Sequence, residues 1–152
     1  MLKKILKYLI CLIPWFLGGI LFRFNKEFYS QLSLPSFVLP GYIISIIWSI
    51  IFILVALSIY NVSKENKILK NNDYLYILLT FYLSVELFPL MFFTLRSVLL
   101  GFIMSLIAFI SLIFLIIETK EIKKSAIYYL IPVLLFNIYA LITSFVVLIT
   151  NL

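Results

Sequence analysis

What most limits the folding of this chain is a succession of long apolar runs almost free of charge. The clearest, Tyr42 to Val62, contains no Asp, Glu, Lys or Arg. A bilayer core about 30 Å thick takes roughly 20 apolar residues per helix, and runs of that length recur through the 152 residues. Spans are read at about 5–22, 42–62, 74–95, 97–117 and 126–152, with a single charge, Glu86, inside the third. Membrane-spanning strands would alternate over short segments, whereas these runs are continuous. The fold class is therefore an all-α membrane protein, a bundle of five transmembrane helices forming one domain over 1–152, with a loop at 25–41. Composition agrees: 65% of residues are hydrophobic and 12% charged, against about 25% charged in soluble domains.

The N-terminal MLKKILKYLICLIPWFLGG has the basic start and apolar middle of a signal peptide. It continues to Phe22 and Arg23 without a small-x-small exit, so it is read as the first span. Ile10 before Cys11 does not suit a lipoprotein site. One cysteine excludes a disulfide framework within the chain, and the absence of His leaves no ordinary metal site.

Charge orients the bundle. Of the 12 basic residues, Lys3, Lys4, Lys7, Lys64, Lys67, Lys70, Lys120, Lys123 and Lys124 fall on one side of a five-span chain, and Arg23, Lys26 and Arg96 on the other. The positive-inside rule then puts the N-terminus in the cytoplasm and the C-terminus outside, with the 25–41 loop outside too. The net charge of +6 is distributed among loops, so no basic face for nucleic acid is expected.

Few residues can carry chemistry. No Ser-His-Asp set, paired carboxylates, phosphate loop or dinucleotide fingerprint is present, and no catalytic residue is assigned. Pro35 and Pro40 stiffen the outer loop and start the second span, because each fixes φ and lacks a donor. Pro89 and Pro132 fall within spans, where a missing amide shapes the space between helices. Glu86 must face the bundle interior; it serves either a ligand or proton path, or as interhelical glue bonded to Asn137, Ser84 or a tyrosine. Aromatics make up 18% of the chain, and most belong to packing or to the interfacial belt. Trp48 and Phe52 share one face of the second span, with Tyr29 on the loop placed to close over them. Such an aromatic surface suits a flat, largely apolar ligand.

The order of these features resembles the translocator protein/tryptophan-rich sensory protein (TspO/MBR) family. FYSQL, LPSFVLP and Trp48-SIIF with Ala56 and Tyr60 follow the family's W-Y-x-x-L, K-P-x-F/W-x-P-P, W-x-x-L-Y and G-x-A-x-Y. Pro89-LMFF with Arg96 is similar to its P-x-x-F-F-x-x-R, and Pro132-VLLF-NIYA with Ser144 to its P-Y-x-x-W-x-x-x-A…N. The chain departs from the pattern at Phe28, Leu34, Leu39, Val85, Phe136 and Ser144, and keeps only Trp15 and Trp48.

The resemblance implies five helices around a pocket that opens toward the first loop. It implies a membrane receptor or carrier for porphyrins such as protoporphyrin IX and haem, with no required cofactor, often a homodimer, in a bacterial cell membrane. Carried over by position, Tyr29, Pro40, Trp48, Phe52, Phe92, Phe136 and Ala140 would line the pocket, and Glu86 joins them on its mid-span position. Two rival classes are a porphyrin-degrading membrane enzyme, weakened by Phe136 in place of a tryptophan, and a substrate-binding subunit of an energy-coupling-factor importer, which usually needs a sixth span.

Overall fold

The computed structural model describes residues 2–65 and 71–152, with Leu2 and Lys3 described by their backbone alone. Lys67 and Lys70, two of the charges used for orientation, lie outside the described residues, as does the side chain of Lys3. Among the described residues every regular element is helical. They run α1 (Leu2–Leu12), a 3-10 turn (Ile13–Phe16), α2 (Leu17–Leu21), α3 (Lys26–Gln31), α4 (Gly41–Val62) and α5 (Asn72–Pro89), which continues as a π-helical turn (Leu90–Thr94); then α6 (Val98–Ile122), a 3-10 turn (Lys124–Ala126) and α7 (Ile127–Thr150). Five stretches are long and apolar enough to cross a membrane: Lys4–Leu21, Gly41–Val62, Asn72–Thr94, Val98–Ile122 and Lys124–Thr150. The fourth outruns its expected end at Ile117, because the chain becomes polar there without losing helix-forming residues. The 25–41 loop is not wholly irregular, since it contains α3.

Side-chain caps explain several of the starts. Asn25, Asn71 and Ser97 accept from the backbone N–H of Phe28 (3.0 Å), Tyr74 (3.0 Å) and Leu100 (3.2 Å), which removes one orphan donor at each helix start. Pro40 stands directly before α4, and its fixed φ feeds the chain into the helix. Pro89 ends regular α-helix in the third span. The backbone widens there, with Leu95 N–H bonded to the Leu90 carbonyl at 2.9 Å, and Arg96 turns the chain in the left-handed region at φ 52°.

The spans close into a ring. α1 packs on α4, α2 on α5, α5 on α6, α6 on α7, and α7 back on α4. The first span thus crosses from the second span to the third, and changes neighbour where Pro14 breaks it. Ile50, Ile110 and Leu135 are among the large apolar side chains left on the lipid side, while Trp15, Val55, Phe81, Leu112 and Val133 fill the interior. In lipid the apolar driving force between helices is weak, so close packing and satisfied polar groups hold the ring together. Gly101 serves the packing: a Cβ there would meet Cβ and Cγ of Phe92 at 3.2 Å, so its absence lets the Phe92 ring lie against α6. At the end of the bundle that carries the 63–73 and 118–125 connections, Lys123 pairs with Glu65 at 2.6 Å, and Asn71 donates to Glu118 at 3.3 Å.

Candidate functional site

Aromatic rings from three spans form one continuous column through the interior. Trp15, from the broken first span, lies 5.9 Å from Phe52, and Phe52 lies 5.6 Å from Trp48 one turn along α4. Trp48 meets Phe136 of α7 edge to face at 5.4 Å, and Phe136 stacks on Tyr139 at 5.5 Å. Phe81 and Tyr82 of α5 close the inner end against Trp15, at 5.6 and 5.2 Å. The helical period makes the column. Trp48 and Phe52 are four residues apart and Phe136 and Tyr139 three, so each pair lines one side of its helix.

The 25–41 loop is pinned over one end of this column. Leu39 N–H donates to the Tyr139 hydroxyl at 2.9 Å, and the same hydroxyl reaches the Phe37 carbonyl at 3.4 Å. Further along, Asn151 accepts from Ser33 N–H at 2.8 Å and donates to the Ser33 carbonyl at 3.1 Å, with Thr150 donating to that carbonyl at 3.0 Å. α3 is tied down on the other side, where Asn25 donates to the Phe93 carbonyl at 3.4 Å.

The residues selected from sequence do not all come together. Trp48, Phe52 and Phe136 are together in the column. Tyr29 and Phe92 belong to a second, apolar cluster between α3 and the end of the third span, with Phe28, Phe88, Phe93 and Val147; Phe28 meets Phe92 at 5.6 Å, and Tyr29 meets Phe24 at 5.2 Å and Phe93 at 6.3 Å, so its ring packs there and not over Trp48 and Phe52. Burial, and secondarily the nearby Tyr139, pushes the Tyr29 phenol above its ordinary pKa, so it stays a neutral donor at physiological pH. Pro40 is exposed at the start of α4, and Ala140 is half-buried one turn beyond Phe136. Trp15, Tyr139, Thr150 and Asn151 join the site without being marked by the motif pattern. A tryptophan beside a mid-span proline, and a tyrosine three residues after Phe136, were the available signals for the first two.

Glu86 is 7% exposed and lies at the break in the first span. The turn at Pro14 spoils the regular ladder there: Leu17 N–H takes the Pro14 carbonyl, and Gly18 N–H instead donates to the Glu86 carboxyl. One turn earlier on α5, the Tyr82 hydroxyl donates to the Pro14 carbonyl at 3.1 Å. Tyr82 and Glu86 therefore tie both polar groups of the break to α5, Tyr82 as a second donor to the Pro14 carbonyl and Glu86 as the acceptor for the Gly18 amide. Of the two roles weighed for Glu86, this geometry supplies the interhelical one, through a backbone amide and not through Asn137 or Ser84.

Comparison with known proteins agrees with the motif order. A family profile described as the TspO/MBR family matches residues 8–149. The uncharacterized membrane protein YtaB of Bacillus subtilis is 31% identical over 130 residues, which is 86% of this chain and 84% of the relative. The Tryptophan-rich protein TspO of Bacillus cereus is 27% identical over 126 residues, 83% of this chain and 82% of the relative.

Proposed function

Because the chain belongs to the TspO/MBR family, we propose that it is a membrane receptor or carrier for porphyrins, such as protoporphyrin IX and haem, and for similar flat apolar molecules, acting in tetrapyrrole handling or stress sensing. One observation carries this reading: the aromatic column from Trp15 to Tyr139 ends beneath a proline-stiffened loop tied to its last ring. Stacked and edge-on rings offer the faces that a planar conjugated ligand takes up on entry. The chain has no His, so an iron porphyrin would be held by its faces and edges and not through an imidazole. A homodimer in a bacterial cell membrane belongs to the same proposal.

Trp48 is the residue to test. Trp48→Ala is expected to weaken protoporphyrin IX binding about tenfold, ~1.4 kcal/mol, in a titration that follows quenching of Trp15. Phe114 lies on a lipid-facing groove between α5 and α6, and Phe114→Ala is expected to bind as the parent protein does. Equal losses at the two positions would refute an interior site. The proposed orientation has its own check: a reporter fused after Leu152 should be active outside and one inserted near Asn66 in the cytoplasm. The reverse pair would place the loop on the cytoplasmic side.

A further inference from the structure

At the end of the bundle that carries the 25–41 loop, the basic residues gather around one group of rings. Arg23 and Lys26 are distant from Arg96 in sequence, but the Asn25 amide donates to the Phe93 carbonyl at 3.4 Å and sets the 23–26 segment beside the end of the third span. There Phe24 lies 4.9 Å from Phe93 and 5.2 Å from Tyr29, and Tyr29 lies 6.3 Å from Phe93. Arg23 adjoins Phe24 in the chain, Lys26 opens α3, and Arg96 stands just past the turn that carries Phe93. All three cations are exposed, and none makes an ion pair or side-chain hydrogen bond among the described residues. Glu27 is the one acid in 22–41 and 90–97, so the patch keeps a positive balance. Phe24 is 53% exposed, which leaves much of its ring open beside the charges. An interfacial belt accounts for aromatics at this depth, but not for an arginine held at φ 52°, where Gly or Asn costs less. Residues kept in such a backbone recur where a ligand is held.

The interior lacks what this patch supplies. No Lys or Arg is among the buried described residues, and the one buried acid, Glu86, is bonded to Gly18. A carboxylate drawn into the aromatic column would be desolvated without a counter-charge. The column reaches this end of the bundle at Tyr139, and Tyr139 is close enough to Tyr29 for charge on one phenol to be felt by the other. Patch and column are therefore neighbours, and of the two only the patch carries free cations.

We propose that Arg23, Lys26 and Arg96, set around the Phe24, Tyr29 and Phe93 rings, form a receiving site for the carboxylates of a flat aromatic ligand, separate from the interior column. Guanidinium groups match carboxylate oxygens in planar pairs, and the rings take the flank of the ligand. A dicarboxylate such as protoporphyrin IX is held here by charge, whereas the column offers it only faces and edges. The choice of ligand rests on the porphyrin reading above, and the test separates the two.

The probes are protoporphyrin IX and its dimethyl ester, which share the macrocycle and differ in their carboxylates. Each is titrated calorimetrically into the protein in phosphatidylcholine nanodiscs, with empty nanodiscs subtracted. The parent protein is expected to bind the acid about tenfold more tightly than the ester, a preference that shrinks as salt rises. Arg23→Gln combined with Arg96→Gln is expected to remove the preference, keep ester binding and melt like the parent, because neither side chain has a partner to lose. Lys120→Gln combined with Lys124→Gln takes the same charge from the opposite end of α6 and should leave the preference intact. Equal affinity of the parent for the two probes would overturn the receiving site, as would a preference that ignores salt, survives without the arginines or falls equally without the lysines. A double arginine variant that melts lower and loses the ester as well would assign the arginines to the fold and overturn it too. Trp48→Ala is expected to weaken acid and ester alike. Where it weakens neither while the preference stands, the interior reading fails and the patch remains; should the parent bind neither probe, both fail.

Discussion

Gly18→Val is expected to leave little or no folded protein after extraction into detergent. A Cβ at Gly18 would lie 2.5 Å from the Glu86 carbonyl oxygen, 2.8 Å from Glu86 Oε2 and 3.0 Å from Glu86 Cα. Two of these three atoms belong to the backbone of α5 and cannot swing aside. The first span would have to separate from the third, which breaks the Gly18 N–H bond to Glu86 and the Tyr82 bond to Pro14 together. Overpacking costs about 1–3 kcal/mol, and each buried polar group left unpaired about 1–3 kcal/mol more, a total comparable with the stability of a small domain. The adjacent glycine is the matched control: a Cβ at Gly19 meets nothing within 4 Å, so Gly19→Val should be extracted and melt like the parent. Size-exclusion profiles and thermal unfolding of the two variants decide the matter. A monodisperse Gly18→Val with an unchanged melting temperature would mean that the helices do not approach this closely.

Glu86→Lys should be nearly as damaging. An ammonium there can only donate, so the Gly18 N–H would lose its acceptor, and a charge at mid-span costs about 2.5–3.5 kcal/mol by insertion scales. Glu86→Gln keeps an acceptor oxygen on a side chain of the same length, so it should retain the fold and the binding of protoporphyrin IX. If Glu86→Gln stays folded but no longer binds, the carboxylate is needed by the ligand, and a cationic substrate or proton coupling replaces the porphyrin reading. Comparing the melting temperatures and titrations of the two variants separates the clamp from the ligand role.

The fold was largely legible because the bilayer acts on segment length and polarity, both of which a sequence displays directly. Tyr42–Val62, uncharged throughout, coincides with α4 to within one residue. What the sequence could not display was adjacency between helices. Trp48 and Phe52 were legible as a pair from their spacing, but their meeting with Phe136 and Trp15 depends on the ring order, which no local pattern encodes. Glu86 shows the same limit from the other side. Its burial followed from cost alone, whereas its partner, a backbone amide freed by a proline in a distant span, has no signature of its own. Asn151 was unreadable for a similar reason: a polar residue at the end of a helix usually meets water, and only the path of the loop brings Ser33 to it.

Tyr139 belongs to two structures at once, since its ring continues the column and its hydroxyl holds the backbone of the outer loop. A guest that slips between Trp48 and Phe136 must shift the ring stacked on Phe136, and with it the hydroxyl on which Leu39 hangs. A displacement of the Phe136 ring would thus reach the backbone of the loop through one residue of α7.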